Sequence, residues 1–211
     1  MPSNFEEISK FLQQGRAPAV KEQVAKAIEE GCTAIQILEN GLLAGMNIIG
    51  EKFKNNQVFI PEVMIAARAM NTGLELLKPL LAEAGVENKG TVIIGTVKGD
   101  LHDIGKNLVK MMLEGKGLKV IDLGVDVPAA KYVAAAQQNS ASIICCSALL
   151  TTTMNEMKNV VELVKSSPLA GTVKVMIGGA PVTQSFCDAI GADSYTPDAA
   201  TAAEVALGFC S

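Results

Sequence analysis

Residues 91–107 read TVIIGTVKGDLHDIGKN, and this stretch passes from a β-rich apolar run into a loop that carries His102, the one histidine of the 211-residue chain. Leu108, Met111 and Met112 follow with helical spacing, so the stretch predicts a strand at 91–97, a loop, and a helix at 104–115. Asp100 lies two residues before the imidazole. Because ligands of open α/β sheets bind outside the carboxyl ends of the strands, His102 is well placed to hold a cofactor, although a solvated or packing histidine fits the same position.

The order of strand, glycine turn and helix recurs five times from residue 91 onward. Short, β-branched strands of nearly continuous apolar character are typical of a parallel sheet covered on both faces. Right-handed crossovers then favour an α/β fold with a doubly wound, five-stranded parallel sheet, Rossmann-like or flavodoxin-like, in the order 2-1-3-4-5. The strands are predicted at 91–97, 119–123, 142–147, 173–177 and 193–195, and the helices at 104–115, 129–138, 154–166, 183–190 and 199–208.

The first 82 residues lack alternating strand patterns and carry helix signals instead. One apolar stripe is formed by Leu42, Met46, Ile49 and Phe53, and a second runs from Val63 to Leu81. Both stripes have helical periodicity, so we predict an N-terminal four-helix bundle. The periodicity stops in the polar, glycine-containing segment 82–90, which we interpret as a linker. We therefore expect a helical domain at 1–85 and an α/β domain at 90–211.

The composition excludes several classes of function. A net charge of −4 and only 4% aromatic residues argue against nucleic acid as a partner. The five cysteines form no C-x-x-C pair, which indicates reduced thiols of a cytoplasmic protein. The acidic N-terminus does not resemble a secretory signal, and no apolar run approaches the roughly 20 residues of a membrane span, so we expect neither export nor a membrane.

Two further segments are placed at the same edge of the predicted sheet as His102. The third strand leads into Ser147 and Leu149, which are placed to line a slot, and then into Thr151–Thr153, where hydroxyls commonly cap a helix. The fourth strand ends in Gly178 and Gly179, which allow either a ligand to approach the backbone or an ordinary turn. The dinucleotide and P-loop glycine motifs are missing, which argues against those nucleotide-binding classes.

Three of these elements together resemble the fingerprint of cobalamin-binding domains: Asp100-x-His102-x-x-Gly105, Ser147-x-Leu149 and Gly178-Gly179. The helical half resembles the cap that accompanies this domain in methionine synthase and in the corrinoid proteins of methyltransferase systems. The matching cap positions are Gly45-Met46, Gly50, Phe53, Phe59, Pro61-Glu62, Ala67 and Met70. The resemblance covers nearly the whole chain and is closest to the corrinoid proteins.

The resemblance implies that His102 replaces the cofactor's own dimethylbenzimidazole as the lower ligand of cobalt. Asp100 then accepts a hydrogen bond from the other ring nitrogen, and Thr153 extends this relay. Neutral imidazole is a good ligand for transition metals, and its second nitrogen needs such an acceptor to fix tautomer and orientation. His102 and Asp100 are the candidate catalytic residues, and the other candidate cofactor contacts near them are Asp103, Ile104, Gly105, Ser147, Leu149, Thr151, Gly178 and Gly179.

Some of these assignments have a plain structural alternative. By resemblance, Phe59, Val63 and Met70 cover the upper face of the corrin, but helical spacing alone also places such residues in a core. Asp103 has an alternative role as a charge at the start of a helix.

The implied function is a corrinoid methyl carrier that cycles between Co(I) and methyl-Co(III). Such a chain is a non-autonomous subunit: it serves a substrate-specific methyltransferase, an acceptor methyltransferase that uses a pterin or a thiol, and a reductive activator. The alternative from another class is a cobalamin-dependent sensor or regulator. A mutase subunit and a flavodoxin-like module are further alternatives, and the methyl donor is not indicated by the sequence.

Overall fold

The computed structural model describes residues 2–84 and 88–210 of the chain. It divides into two compact units, Met1–Asn88 with Gly115–Gly117 and Lys89–Glu114 with Leu118–Ser211. Helix α5 runs to Glu83, so the first residues of the expected linker 82–90 are helical, and residues 85–87 of that linker lie outside the described residues. No helix of the described residues is both long and apolar enough to cross a membrane.

The helical unit is built from four helical stretches within the described residues. These are α1 (Pro2–Gln13), α2 (Ala17–Glu29), a continuous stretch composed of α3 (Ala34–Ile37), a π-helical segment (Leu38–Leu43) and α4 (Ala44–Lys54), and α5 (Ile60–Glu83). Thr33 begins the third stretch with a capping box, in which its hydroxyl accepts from the Gln36 amide at 3.3 Å and the Gln36 side chain accepts from the Thr33 amide at 3.1 Å. The predicted helical N-terminal region is confirmed.

The π-helical segment was not foreseen in the sequence. It buries the three consecutive residues Gly41, Leu42 and Leu43, which a regular α-helix would spread over a wide arc of its surface. Gly41 packs closely on Ile8, because a Cβ at this position would lie 3.0 Å from the Ile8 side chain.

The α/β unit contains a five-stranded parallel sheet in the order β2-β1-β3-β4-β5. Its register pairs Ile94 of β1 with Asp122 of β2 and with Cys145 of β3. The predicted fold class and strand order are therefore confirmed. The strands are β1 (Thr91–Thr96), β2 (Lys119–Asp122), β3 (Ile143–Ser147), β4 (Lys174–Gly178) and β5 (Ser194–Tyr195), and the helices are α6 (Ile104–Gly115), α7 (Ala129–Gln138), α8 (Met154–Lys165), α9 (Gln184–Ile190) and α10 (Ala199–Phe209).

One face of the sheet packs on α7 and α8 through a continuous apolar core. Tyr132 of α7 is fully buried there, and Gly95 of β1 makes room for it, because a Cβ on Gly95 would lie 2.7 Å from the tyrosine hydroxyl. This core fixes β1 and β3 side by side, so the loops that leave their carboxyl ends are held next to each other.

Candidate functional site

The loop after β1 presents His102 to solvent while its backbone is held firmly. The buried Thr96 hydroxyl donates to the His102 carbonyl oxygen at 2.7 Å, which ties the loop back to the end of β1. The His102 side chain is 51% exposed, and its Nδ1 lies 2.7 Å from Asp100 Oδ1. The imidazole is therefore fixed at one ring nitrogen and open to the outside at the rest of the ring.

Asp100 is fully buried and accepts hydrogen bonds from two loops. Its Oδ1 accepts from the His102 amide at 3.1 Å and from His102 Nδ1, while its Oδ2 accepts from the Leu149 amide at 2.7 Å and the Leu150 amide at 3.2 Å. Burial raises the pKa of this carboxyl, but the hydrogen bonds from His102, Leu149 and Thr153 outweigh burial and hold the pKa well below its usual range. The carboxylate is ionised at neutral pH.

The ionised Asp100 determines the tautomer of His102. A carboxylate can only accept hydrogen bonds, so the proton of the neutral imidazole lies on Nδ1. The lone pair is then on Nε2, which is the arrangement that a metal-ligating histidine needs.

Thr153 joins this network from the start of α8. Its hydroxyl lies 3.0 Å from Asp100 Oδ2 and 2.9 Å from the Leu150 carbonyl oxygen, and it is buried. Its side chain makes no capping hydrogen bond to the helix, so the capping role that the sequence left open does not apply to it. Thr151, by contrast, is exposed on the same turn.

The two candidate glycines after β4 differ in their structural reasons. A Cβ on Gly179, at φ +134°, would lie 1.9 Å from the Ala148 carbonyl oxygen. Glycine is therefore required where the segment after β4 approaches the segment after β3. At Gly178 the nearest atom to such a Cβ is the Thr196 carbonyl oxygen at 3.6 Å, an ordinary contact. Ser147, which pairs with Gly178 across the sheet, is half-buried at the end of β3.

Nothing in the described residues requires glycine at position 105. No atom lies within 4 Å of a Cβ built on it, and its φ is not positive. Gly105 is the second residue of α6, and an alanine there would meet no atom of the described residues within 4 Å. An open space beside the His102 loop fits a ligand that approaches the first turn of α6 closely.

Apolar side chains around His102 are exposed to solvent. Ile104 is 70% exposed, and Leu101, Leu149 and Leu150 are exposed as well. Exposed apolar groups around a buried polar network are typical of a ligand site. Asp103 precedes α6 directly and accepts from the Asn107 side chain at 3.2 Å, which agrees with a charge at the start of that helix.

The candidate residues in the helical unit do not share one environment. Phe59 is 66% exposed, and its amide donates to the Glu62 carboxylate at 3.0 Å, where α5 begins. Val63 and Met70 are 0% and 2% exposed and belong to the core of the unit. Their assignment to the upper face of the corrin stays a prediction.

Sequence reasoning missed two ion pairs and one hydrogen bond near the site. Lys106, only 2% exposed, contacts both carboxylate oxygens of Asp122 at 2.7 Å, and Lys110 lies 3.5 Å from the same carboxylate. Asp126 accepts from the Gly99 amide at 2.7 Å. No spacing rule links these positions, because the contacts depend on the pairing of β1 with β2.

Family comparisons identify both halves of the chain. Family models described as B12 binding domain match residues 90–206 and residues 5–78. A corrinoid protein of Desulfitobacterium hafniense (strain Y51) is 41% identical over 207 residues, which is 97% of this chain and 96% of that protein. Dimethylamine corrinoid protein 3 of Methanosarcina acetivorans is 45% identical over 186 residues, which is 86% of this chain and 87% of that protein.

Solved structures show the same similarity. The methanol:cobalamin methyltransferase complex of Methanosarcina barkeri contains a chain with TM-score 0.88 and 32% identity, covering 99% of this chain and 80% of that chain. A cobalamin-binding protein from Desulfitobacterium hafniense DCB-2 gives TM-score 0.81 at 29% identity, covering 97% and 98% of the two chains.

The fold and site define a cobalamin-binding protein. The chain belongs to the B12-binding family, and within it to the corrinoid proteins of methyltransferase systems. The predicted cofactor is thereby confirmed, and the alternative of a sensor or regulator is not favoured.

Proposed function

We propose that this chain carries a methyl group between two methyltransferases on a cobalamin whose lower ligand is His102. The observation that supports this most strongly is the buried, ionised Asp100, which holds the imidazole in the tautomer with a free Nε2 lone pair. A bound corrinoid supplies a cobalt that accepts and releases the methyl group. The protein's own residues bind that cofactor and set the ligation of its metal.

Each residue of the site has a separate task in this proposal. His102 ligates, Asp100 orients His102, and Thr153 and the two leucine amides orient Asp100. Gly105 leaves space for the nucleotide tail of the cofactor. The remaining lining of that tail is assigned to Ile104, Ser147, Leu149, Thr151, Gly178 and Gly179, with Asp103 retained as a helix-start charge.

The role of the helical half is also a proposal. We assign residues 1–85 as a cap and 90–211 as an autonomous cobalamin-binding domain, because the sheet and all three motif elements lie in the latter. Phe59, Val63 and Met70 are the candidate cofactor contacts of the helical half, and Phe59 is the exposed one of the three. Deletion of residues 1–85 should leave binding of hydroxocobalamin largely intact, and loss of binding would contradict this division.

The names of the relatives support the proposed partners. Several similar proteins are named dimethylamine or trimethylamine corrinoid proteins, and one similar structure is a methanol methyltransferase complex. We infer a partner methyltransferase that uses a small methylated substrate, with methylated amines as the first candidates. An acceptor methyltransferase specific for a pterin or a thiol, and a reductive activator, complete the proposed system.

The proposed compartment is the cytoplasm. All five cysteines are free thiols, and burial raises the pKa of the Cys145 thiol to about 12, so it stays protonated and poorly reactive.

Methyl transfer is the direct test of this function. The cobalamin-loaded protein is incubated, under reducing conditions, with the methyltransferase that copurifies with it and with isotopically labelled dimethylamine, trimethylamine or methanol. We expect the label to appear on the wild-type carrier with one of these donors and to be strongly reduced on the His102→Ala carrier. A loaded carrier that stays unlabelled with every donor and its cognate enzyme would contradict the proposal.

A further inference from the structure

The segment that follows β2 runs alongside the loop that carries His102. The Thr96 amide donates to the Gly124 carbonyl oxygen at 3.0 Å, and the Val127 amide donates to the Thr96 carbonyl oxygen at 3.0 Å. A parallel bridge between Val97 and Val127 extends this pairing beyond the end of the sheet. The two loops therefore form one backbone unit at the carboxyl edge.

Asp126 connects these loops with two hydrogen bonds of its own. Its amide donates to the Asp100 carbonyl oxygen at 3.0 Å, and its carboxylate accepts from the Gly99 amide at 2.7 Å. The second bond is short, with a carboxyl oxygen as its acceptor. Asp126 thus holds the Lys98–Gly99 peptide through its carboxylate and the Asp100–Leu101 peptide through its amide, which are the peptides on either side of the Gly99–Asp100 peptide.

The backbone at this contact is unusual on both sides. Gly99 has φ +81° and Asp126 has φ +54°, so both residues are in the left-handed region. Glycine adopts this region freely, and aspartate and asparagine tolerate it better than most residues. Gly99 on its own is a flexible joint next to Asp100, and the Asp126 carboxylate fixes one orientation of that joint.

We propose that Asp126 is a positioning residue for the lower ligand of cobalt. By fixing the peptides that precede Gly99 and follow Asp100, it aims the Asp100 carboxylate at His102 Nδ1 and at the amides of the loop after β3. This inference rests on the proposed role of His102 as the lower ligand.

Three substitutions separate this role from a general effect on folding. Asp126→Gly removes the acceptor and keeps a residue suited to the left-handed backbone. Asp126→Asn keeps an acceptor oxygen at the same distance from the backbone. Ser140→Gly is the matched control, because Ser140 also has a positive φ, +47°, but lies between α7 and β3 at the other edge of the sheet.

The readouts are the dissociation constant for hydroxocobalamin and the nitrogen coupling in the electron paramagnetic resonance spectrum of bound Co(II) cobalamin. We expect Asp126→Gly to weaken binding about threefold to tenfold and to reduce the fraction of cobalt with a protein nitrogen ligand. Asp126→Asn should restore most of both properties, and Ser140→Gly should match the wild-type protein. Thermal unfolding of each apoprotein reports any effect on folding.

Two results would overturn the proposal while leaving the function intact. One is a wild-type nitrogen coupling and dissociation constant in Asp126→Gly, and the other is weaker binding with an unchanged fraction of nitrogen-ligated cobalt. If the wild-type protein itself lacks the coupling, the proposed function fails instead. If Asp126→Gly does not fold, amide hydrogen exchange at Gly99 in the wild-type apoprotein decides: rapid exchange contradicts the contact with Asp126, and slow exchange supports it.

Discussion

The loop after β1 and the beginning of α5 both carry residues that the sequence assigned to the cofactor, but the structure treats them differently. At the loop, Asp100 is buried with hydrogen bonds that converge from two segments, and His102 is left half-exposed. At α5, Val63 and Met70 are buried apolar side chains, and of the three candidates only Phe59 is exposed. A buried charge has to be satisfied by specific partners, so it marks a site more reliably than an apolar residue that any core would bury.

The largest effects should come from removing one buried residue from each region. Asp100→Ala leaves several buried donors without an acceptor, and we expect the free energy of unfolding to fall by about 3 kcal/mol. Met70→Ala should cost a similar amount, about 2–5 kcal/mol, because it leaves a cavity in the helical unit. Urea unfolding of the apoproteins measures both.

Cobalt ligation separates the two losses. We expect Asp100→Ala to weaken the coupling of a protein nitrogen to bound Co(II), since His102 loses the acceptor that orients it, and Met70→Ala to leave that coupling unchanged. Loss of the coupling in Met70→Ala as well would contradict the claim that ligation depends on the loop after β1 and not on α5.

The next prediction concerns the stability of the apoprotein when either of two glycines of the α/β unit is replaced by alanine. Gly179→Ala places a Cβ against the Ala148 carbonyl oxygen at a positive φ, so we expect a loss of about 2–4 kcal/mol in the apoprotein. Gly105→Ala meets no neighbouring atom within 4 Å and should leave the apoprotein unchanged or up to about 1 kcal/mol more stable.

Gly105→Ala should weaken cofactor binding even though it leaves the stability of the apoprotein nearly unchanged. A methyl group in the space assigned to the nucleotide tail should weaken hydroxocobalamin binding about tenfold. Unchanged affinity for hydroxocobalamin in Gly105→Ala would contradict the explanation that Gly105 leaves space for the cofactor.

A smaller effect is expected at Thr153. Thr153→Val removes the hydroxyl from Asp100 Oδ2 while the Leu149 amide still donates to that oxygen, so we expect a loss of about 1 kcal/mol. Thr153→Ser keeps the hydroxyl and should retain most of that stability. Equal unfolding curves for the valine and serine variants would show that the hydroxyl does not support the network.

The smallest expected effect is on the loss of folding stability at acid pH, to which Asp122 contributes. Burial raises the pKa of this carboxyl, but the hydrogen bonds from Lys106 and Gly124 and the nearby charge of Lys110 outweigh burial, and the pKa is lowered. A lowered pKa contributes stability that is present above the unfolded value of about 4 and is lost as the pH falls further.

Asp122→Asn should therefore flatten the loss of stability below pH about 4. Urea unfolding as a function of pH measures this slope. An unchanged slope in the variant would assign the acid sensitivity to other carboxyls.

The fold was predictable because its elements follow local rules. Short apolar strands alternate with amphipathic helices, and right-handed crossovers leave few strand orders, so the order 2-1-3-4-5 could be predicted and is confirmed. The π-helical segment Leu38–Leu43 could not, because neither helical periodicity nor a capping residue distinguishes it from the α-helix on either side of it.

The candidate site was predictable only in part, for a related reason. Asp100 and His102 are two residues apart, so their contact is local, and the structure does bring them together. Asp126 and the pair of Lys106 with Asp122 depend on strand pairing and on a left-handed backbone, which no sequence spacing indicates. Helical periodicity indicated which residues of α5 face inward but not whether protein or ligand covers them.

The central claim is that His102 ligates the cobalt of the bound cofactor. Because the chain has a single histidine, growth with 15N-labelled histidine labels this imidazole alone. We predict that the nitrogen coupling in the electron paramagnetic resonance spectrum of bound Co(II) cobalamin changes from a three-line to a two-line pattern with the label. The His102→Ala variant should lack this coupling. A coupling pattern that is unaffected by the label would contradict the claim.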